Sequence, residues 1–321
     1  MTPVIEAHSL HKSFGAVHAV RGIDLTVERG SIYGLIGPNG AGKSTVLRIL
    51  VDLIRPDSGE ISVLGSAPQS ASPALRRRIG YLPGEVQFHE RCDGRSLLER
   101  FASISGRVPP GRIDALAERL DLDLARPVRS LSKGNRQKLG LIQAFMHPPE
   151  LLILDEPTSG LDLLMQREFM GLVREAQDNG QTVLLSSHIL GEVQHTADAA
   201  AVLAQGSIVA HGDVASLRLA GTSRIRAAVA GADPEQLSVQ LEQCDGLSDL
   251  VVLRFGAATG TATSAEADPS SNVVQVSGLL RGEPDATIKA LANYTIRNLA
   301  LAEPDLEESV LELYGHSESA S

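Results

Sequence analysis

What the chain lacks narrows it first. It has no Trp, 6 Phe and 4 Tyr in 321 residues, so its core has to be built from Ala, Val, Leu and Ile rather than from rings. Its two cysteines, Cys92 and Cys244, form no C-x-x-C pair. That excludes a disulfide framework and a cysteine-based zinc site, and it fits a reducing compartment. Positive charge is short: 29 Lys and Arg stand against 39 Asp and Glu, a net charge of −10. A protein that grips nucleic acid without regard to sequence needs the opposite balance. No run approaches the ~18–20 apolar residues of a membrane-spanning helix. The opening stretch, MTPVIEAHSLHKSFG, holds no apolar segment of the secretory-signal kind. These absences predict a soluble chain that reaches a membrane only through a partner.

What is present is a 43% hydrophobic composition, enough for a real core, and a length that predicts two domains. Three short apolar runs, SIYGLIG (31–37), LLILDE (151–156) and TVLLSSH (182–188), each meet a polar or glycine-rich turn and then helical spacing. This is the βα rhythm of a parallel sheet, which presents ligand groups at the carboxyl ends of its strands. From about 92 to 147 the strand pattern stops. GRSLLERFASISG, GRIDALAERLDLD and NRQKLGLIQAFMH read there as three helices, a helical subdomain at about 90–147. A strand–turn–strand pattern, AAVLAQGSIVAHG, closes a first domain of residues 1–220. Residues 221–321 have their own order: strands at 223–229, 249–255, 272–277 and 295–301, helices at 234–243 and 284–293, and a last helix at 305–314. The βαββαβ order is that of a small ferredoxin-like α+β domain. Between its middle strands, 256–272 is rich in Gly, Ser, Thr and Ala and predicts a flexible loop.

The stretch GPNGAGKST (37–45) carries the clearest chemistry. It fits G-x-x-x-x-G-K-[ST] between a strand and a helix. Gly37, Pro38, Asn39, Gly40, Ala41 and Gly42 form a loop whose backbone N–H groups can close around phosphate oxygens. Lys43 would reach the β- and γ-phosphates, the Ser44 hydroxyl would ligate Mg²⁺, and Thr45 follows at the start of the helix. LLILDEP supplies the complement. Asp155 ends a buried strand, where it can hold the metal directly or through water. Glu156 follows, either across the pleat or on the turn, placed to deprotonate an attacking water. Two acids ending a strand are otherwise an ordinary solvated turn, and the phosphate loop is what favours chemistry. His188 ends the third run. It is either a satisfied polar residue or a hydrogen-bonding partner of the γ-phosphate or the water.

A second anion-seeking stretch, SLSKGNRQK (130–138), opens a helix some ninety residues downstream of the first. Together with the motifs above it resembles the ATP-binding cassette of ABC transporters, over residues 4 to about 220. LSKGN is similar to that family's signature, TSGLD (158–162) to its D-loop, and SSH (186–188) to its switch histidine. The resemblance implies a P-loop NTPase fold, ATP and Mg²⁺ as ligands, and cassettes paired head to tail. Each ATP would then lie between one chain's phosphate loop and its partner's signature. Ser132 and Gly134 would grip the γ-phosphate held by the partner, Asp162 would line the shared site, and Phe14 in KSFG would stack on adenine. The alternative for Phe14 is a core residue near a turn. Lys133 and Asn135 depart from the commonest signature and resemble the drug- and antibiotic-resistance branch, such as the daunorubicin and bacitracin types. The larger departure is IGYLPGEVQ (79–87), which occupies the place of the family's Q-loop with Gly84 at the usual Gln position. Glu85 and Gln87 are its substitutes, Gln87 being the candidate third metal ligand.

The resemblance implies an exporter's ATP-hydrolysing subunit at the cytoplasmic face of the membrane. It would work as a homodimer or with a second cassette, drive a separate integral-membrane permease, and have no nucleic-acid partner. ALAEPDLEESVLELYG (300–315) resembles that branch's C-terminal extension, or is simply an amphipathic helix. The alternative is a soluble ATPase of the same family acting on ribosomes or DNA. Against it stand a single cassette and acidic charge. A nucleotide sensor with little turnover is disfavoured by the intact Asp155–Glu156 pair.

Overall fold

The computed structural model describes residues 3–70, 72–88, 91–189, 193–217, 222–254 and 273–302. It divides into two compact units, one running to Leu217 and one that begins after it. Each has a core of its own.

The centre of the first unit is a six-stranded sheet in the order β5 (Ile79–Leu82), β6 (Leu151–Asp155), β7 (Thr182–Ser187), β3 (Ile32–Ile36), β8 (Ala199–Ala204), β9 (Ser207–Asp213). The first five strands run parallel and β9 turns back antiparallel at the edge. β3, β6 and β7 are buried at every residue, which is why each reads as an unbroken apolar run rather than an alternation. A second, antiparallel sheet joins β1 (Pro3–Phe14), β2 (Val17–Glu28) and β4 (Ser58–Val63) in the order β2-β1-β4. Between the two sheets lies helix α1 (Lys43–Leu50), whose Val46, Leu47 and Leu50 share one core with Ile5, Leu10 and Leu25 and with Leu184 and Leu203. The tips of β3, β6 and β7 therefore end side by side under the start of α1.

After the four-residue α2 (Pro73–Arg76), the expected helical stretch is α3 (Gly94–Ser105), α4 (Arg112–Arg119) and α5 (Lys133–Phe145). Ser132 caps α5, its hydroxyl accepting the N–H of Asn135 at 3.2 Å. α6 (Leu163–Asp178) follows β6 and is capped by Asp162, whose carboxylate accepts the N–H of Met165 at 3.0 Å. Phe169 of α6 is fully buried edge-on against Phe145 of α5, ring centroids 6.4 Å apart. Arg119 of α4 donates to Glu168 at 2.9 Å and Glu175 at 2.6 Å, both on α6. A one-turn helix, α7 (Val214–Leu217), ends the unit.

The second unit runs β10 (Thr222–Ala230), α8 (Pro234–Glu242), β11 (Leu247–Arg254), β12 (Val273–Arg281), α9 (Asp285–Ala292), β13 (Thr295–Ala302). Its strands pair antiparallel in the order β11-β12-β10-β13. Ile225, Val229, Val274 and Val276 of the sheet pack with Leu237 and Leu241 of α8 and Leu291 of α9. The predicted loop at 256–272 and the predicted helix at 305–314 lie outside the described residues.

Candidate active site

Three strand ends and one helix start build the site. Gly42 caps α1 in a left-handed conformation, φ 106°. A Cβ there would sit 2.3 Å from the Ala19 carbonyl oxygen, and a Cβ on Gly37 would sit 2.3 Å from the Leu203 carbonyl oxygen. Both positions need glycine, and the loop between them is free to turn its N–H groups outward. The loop from Pro38 to Thr45 lines a cavity of about 450 Å³ with Val17, His18 and Glu156.

Lys43 is buried beneath this loop. Its ammonium donates to the carbonyls of Gly37 (2.6 Å) and Pro38 (3.3 Å) and pairs with Glu156 Oε1 at 3.1 Å. Glu156 is past the end of β6, on the turn rather than across the pleat, with φ 46°. Its other oxygen, Oε2, meets His188 Nδ1 at 2.5 Å. The contact is a hydrogen bond in the tautomer that carries a proton on Nδ1. One carboxylate thus bridges the lysine and the histidine that the motifs single out separately.

Asp155 is wholly buried at the strand tip. Its Oδ1 accepts from the Ser44 hydroxyl at 3.0 Å and the Ser186 hydroxyl at 2.7 Å. Its Oδ2 is buried and has no hydrogen-bond partner among the described residues. An unpartnered buried carboxylate oxygen beside a hydroxyl is costly alone and suits a hard divalent cation, so the donor set fits Mg²⁺.

The remaining predicted residues spread around this centre. Phe14 ends β1 half exposed, with the Lys12 ammonium 5.5 Å above its ring, and pairs with Val17 at the cavity wall. Ser132 and Gly134 stand at the start of α5, which packs closely on the 158–162 turn: a Cβ on Gly134 would lie 2.7 Å from the Gly160 carbonyl oxygen. Lys133 lays its methylenes 3.6–3.7 Å from where a Gly160 Cβ would be. Asp162 is exposed at the head of α6. In the 83–88 loop, Gly84 is set against Asp155, where a Cβ would lie 2.9 Å from its Oδ2. Gln87 does not line the Lys43 cavity. It is exposed and borders a separate depression of about 310 Å³ together with Glu85, Lys133, Arg136 and Gln137.

Two site residues escape the motif reading. Ser186 holds both Asp155 Oδ1 and, as acceptor, the N–H of Glu156 at 2.9 Å. Gln137 is buried in α5 and donates from Nε2 to the carbonyls of Glu156 (3.2 Å) and Pro157 (3.0 Å). Ser186 stands within the SSH stretch, the one signal that could have found it. Gln137 stands within SLSKGNRQK, the stretch that could have pointed to it.

Known proteins similar to this chain share a family. A profile of the ABC transporter family matches residues 20–159. The chain is 35% identical over 319 residues to the daunorubicin resistance ATP-binding protein DrrA3 of Streptomyces coeruleorubidus, covering 97% of this chain and 96% of that one. It is 35% identical over 212 residues to the bacitracin transport ATP-binding protein BcrA of Bacillus licheniformis, covering 65% of this chain and 69% of the other. Among solved structures, an ATP-binding subunit of an ABC transporter superposes with a TM-score of 0.62 at 29% identity, covering 67% of this chain and 91% of that one.

Proposed function

Since the chain belongs to the ABC transporter ATP-binding protein family, we propose that it is the ATP-hydrolysing subunit of an exporter, powering a separate membrane permease for a drug-like, antibiotic or lipid-like cargo. The observation that carries this reading is the Lys43–Glu156–His188 contact beside a buried carboxylate oxygen of Asp155 that has no partner among the described residues.

The roles follow from the chemistry of the groups. Backbone N–H groups of the 37–45 loop and the Lys43 ammonium bind the phosphates, which take over from Glu156 as the lysine's anionic partner. Ser44 and Asp155 hold Mg²⁺, which when bound neutralises β- and γ-phosphate charge. Glu156, freed from Lys43, accepts a proton from the attacking water, and His188 keeps its carboxylate turned toward that water. Gln87 joins the metal's ligands only if the 83–88 loop closes over Asp155. Phe14 offers a ring for the adenine.

Ser132, Gly134 and Asp162 act on the ATP held by a partner cassette, a second copy of this chain or a related one. Leu163 and Leu164, 78% and 64% exposed directly after Asp162, give that face an apolar area to cover. We read the second unit as a ferredoxin-like accessory domain, from its strand order. Among the described residues no helix is long and apolar enough to cross a membrane, and the chain works peripherally at the membrane's cytoplasmic face through the permease. The alternative of a ribosome- or DNA-directed ATPase has no support in relatives named for drug resistance and transport, nor in a net charge of −10.

Phosphate release by the wild type and by Glu156→Gln tests the core of this reading. The substitution is expected to lower turnover by about 100-fold or more with ATP still bound. Undiminished turnover would show that Glu156 is not the base. Recovery of a polytopic membrane protein with the tagged chain from native membranes tests the exporter assignment, and recovery of ribosomes would overturn it.

A further inference from the structure

The turn that carries Glu156 is held by side chains from two different elements. Its φ of 46° lies in the left-handed region, which an L residue keeps only where its surroundings impose it. Ser186, on β7, accepts the turn's N–H. Gln137 comes from α5, is 2% exposed, and donates to the next two carbonyls, those of Glu156 and Pro157. The bond to the Pro157 carbonyl is buried and the one to the Glu156 carbonyl is partly buried. Gly134 stands one turn earlier on the same helix, packed so tightly on the Gly160 carbonyl that no side chain fits. The first two turns of α5 and the 156–160 turn are therefore in contact at two points, one polar and one steric.

We infer that Gln137 is a positioning residue for Glu156: its amide holds the backbone of the turn so that the carboxylate stays beside His188 when phosphate draws Lys43 away, and it makes the position of α5 felt at the base. The inference rests on the ATPase reading above. It also has a direction. Ser132 and Gly134, at the head of α5, serve the ATP on the partner, whereas Glu156 serves the ATP on its own chain. Gln137 lies between these two duties. Movement of α5 as its head meets the partner's nucleotide is transmitted through two hydrogen bonds to the group that takes the proton.

The test is a double-mutant cycle on the full-length chain with Gln137→Met, Glu156→Gln and both together. It is read as phosphate release under single-turnover conditions and as ATP affinity by direct titration. Gln137→Met is expected to slow hydrolysis about 10–100-fold with ATP affinity within about twofold of wild type. Added to Glu156→Gln, it is expected to cost less than about twofold more, because its effect passes through the carboxylate already removed. Wild-type rates in Gln137→Met, lost ATP affinity, or losses that multiply in the double variant would each overturn the inference. Should Gln137→Met fail to fold, Gln137→Leu takes its place with the same outcomes, since it fills similar space and has no donor for the two carbonyls. A wild-type chain that releases no phosphate would instead refute the ATPase reading. Normal wild-type hydrolysis with indifferent Gln137 variants would refute this inference alone.

Discussion

One buried carboxylate sets the terms at the scale of the residue. Asp155 gives Oδ1 to two hydroxyls and leaves Oδ2 facing the backbone of Gly84, with no room for a Cβ between them. Gly84→Ala is expected to push the carboxylate or the loop aside and lower turnover by about tenfold or more, with ATP still held by the Lys43 loop. Phosphate release measured alongside nucleotide titration checks this, and unchanged turnover would mean that the acid has space to spare. His147 behaves differently. It is buried just beyond α5, and burial, partly offset by the nearby Ile79 backbone, pushes its pKa below the ordinary 6.5. The unfolded chain then takes up a proton near pH 6.5 that the folded chain still refuses. Stability against unfolding is thus expected to decrease as pH drops below about 6.5 and to be insensitive to this group above it. His147→Leu should flatten that slope in urea denaturation at pH values on either side, and a slope that persists would assign it to other groups.

Helices α5 and α6 show what an element contributes. Each begins at a capping side chain in the candidate site, Ser132 or Asp162, and the two meet further along where Phe145 and Phe169 cross. Phe169→Ala is expected to cost about 3–5 kcal/mol by leaving a cavity there. A calorimetric or denaturant transition of the first unit measures it, and a loss under about 1 kcal/mol would mean the helices collapse into the gap. At this scale legibility divides along physical lines. β3, β6 and β7 are readable because burial on both faces writes an unbroken apolar run. α3, α4 and α5 are readable from helical spacing. β1 escapes because shifts of register, such as that between Ala7 and Leu10, break its alternation, whereas β2 keeps a legible alternation at Ile23, Leu25 and Val27. In the site, Lys43, Ser44, Asp155, Glu156 and His188 are legible because phosphate and metal chemistry restricts which residues can stand there. Gln137 and Ser186 are not, because what they do depends on a neighbour distant in sequence, and only the packing of α5 and β7 against the 156 turn reveals it.

For the whole molecule, the division into units with separate cores separates duties. Every residue lining the Lys43 cavity lies before Leu217. A chain ended after Leu217 is therefore expected to fold and bind ATP with undiminished affinity, measured by titration. Failure to bind would show that the second unit supports the first. The scarcity of rings that shapes both cores also leaves the molecule nearly silent in the near ultraviolet, with no Trp and only four Tyr. Phe14, half exposed and paired with Val17 at the cavity wall, is one of few aromatic positions beside the nucleotide's expected path. An indole placed there by Phe14→Trp would be the chain's sole long-wavelength emitter, so its brightness and colour would follow each arrival and departure of nucleotide without any attached dye.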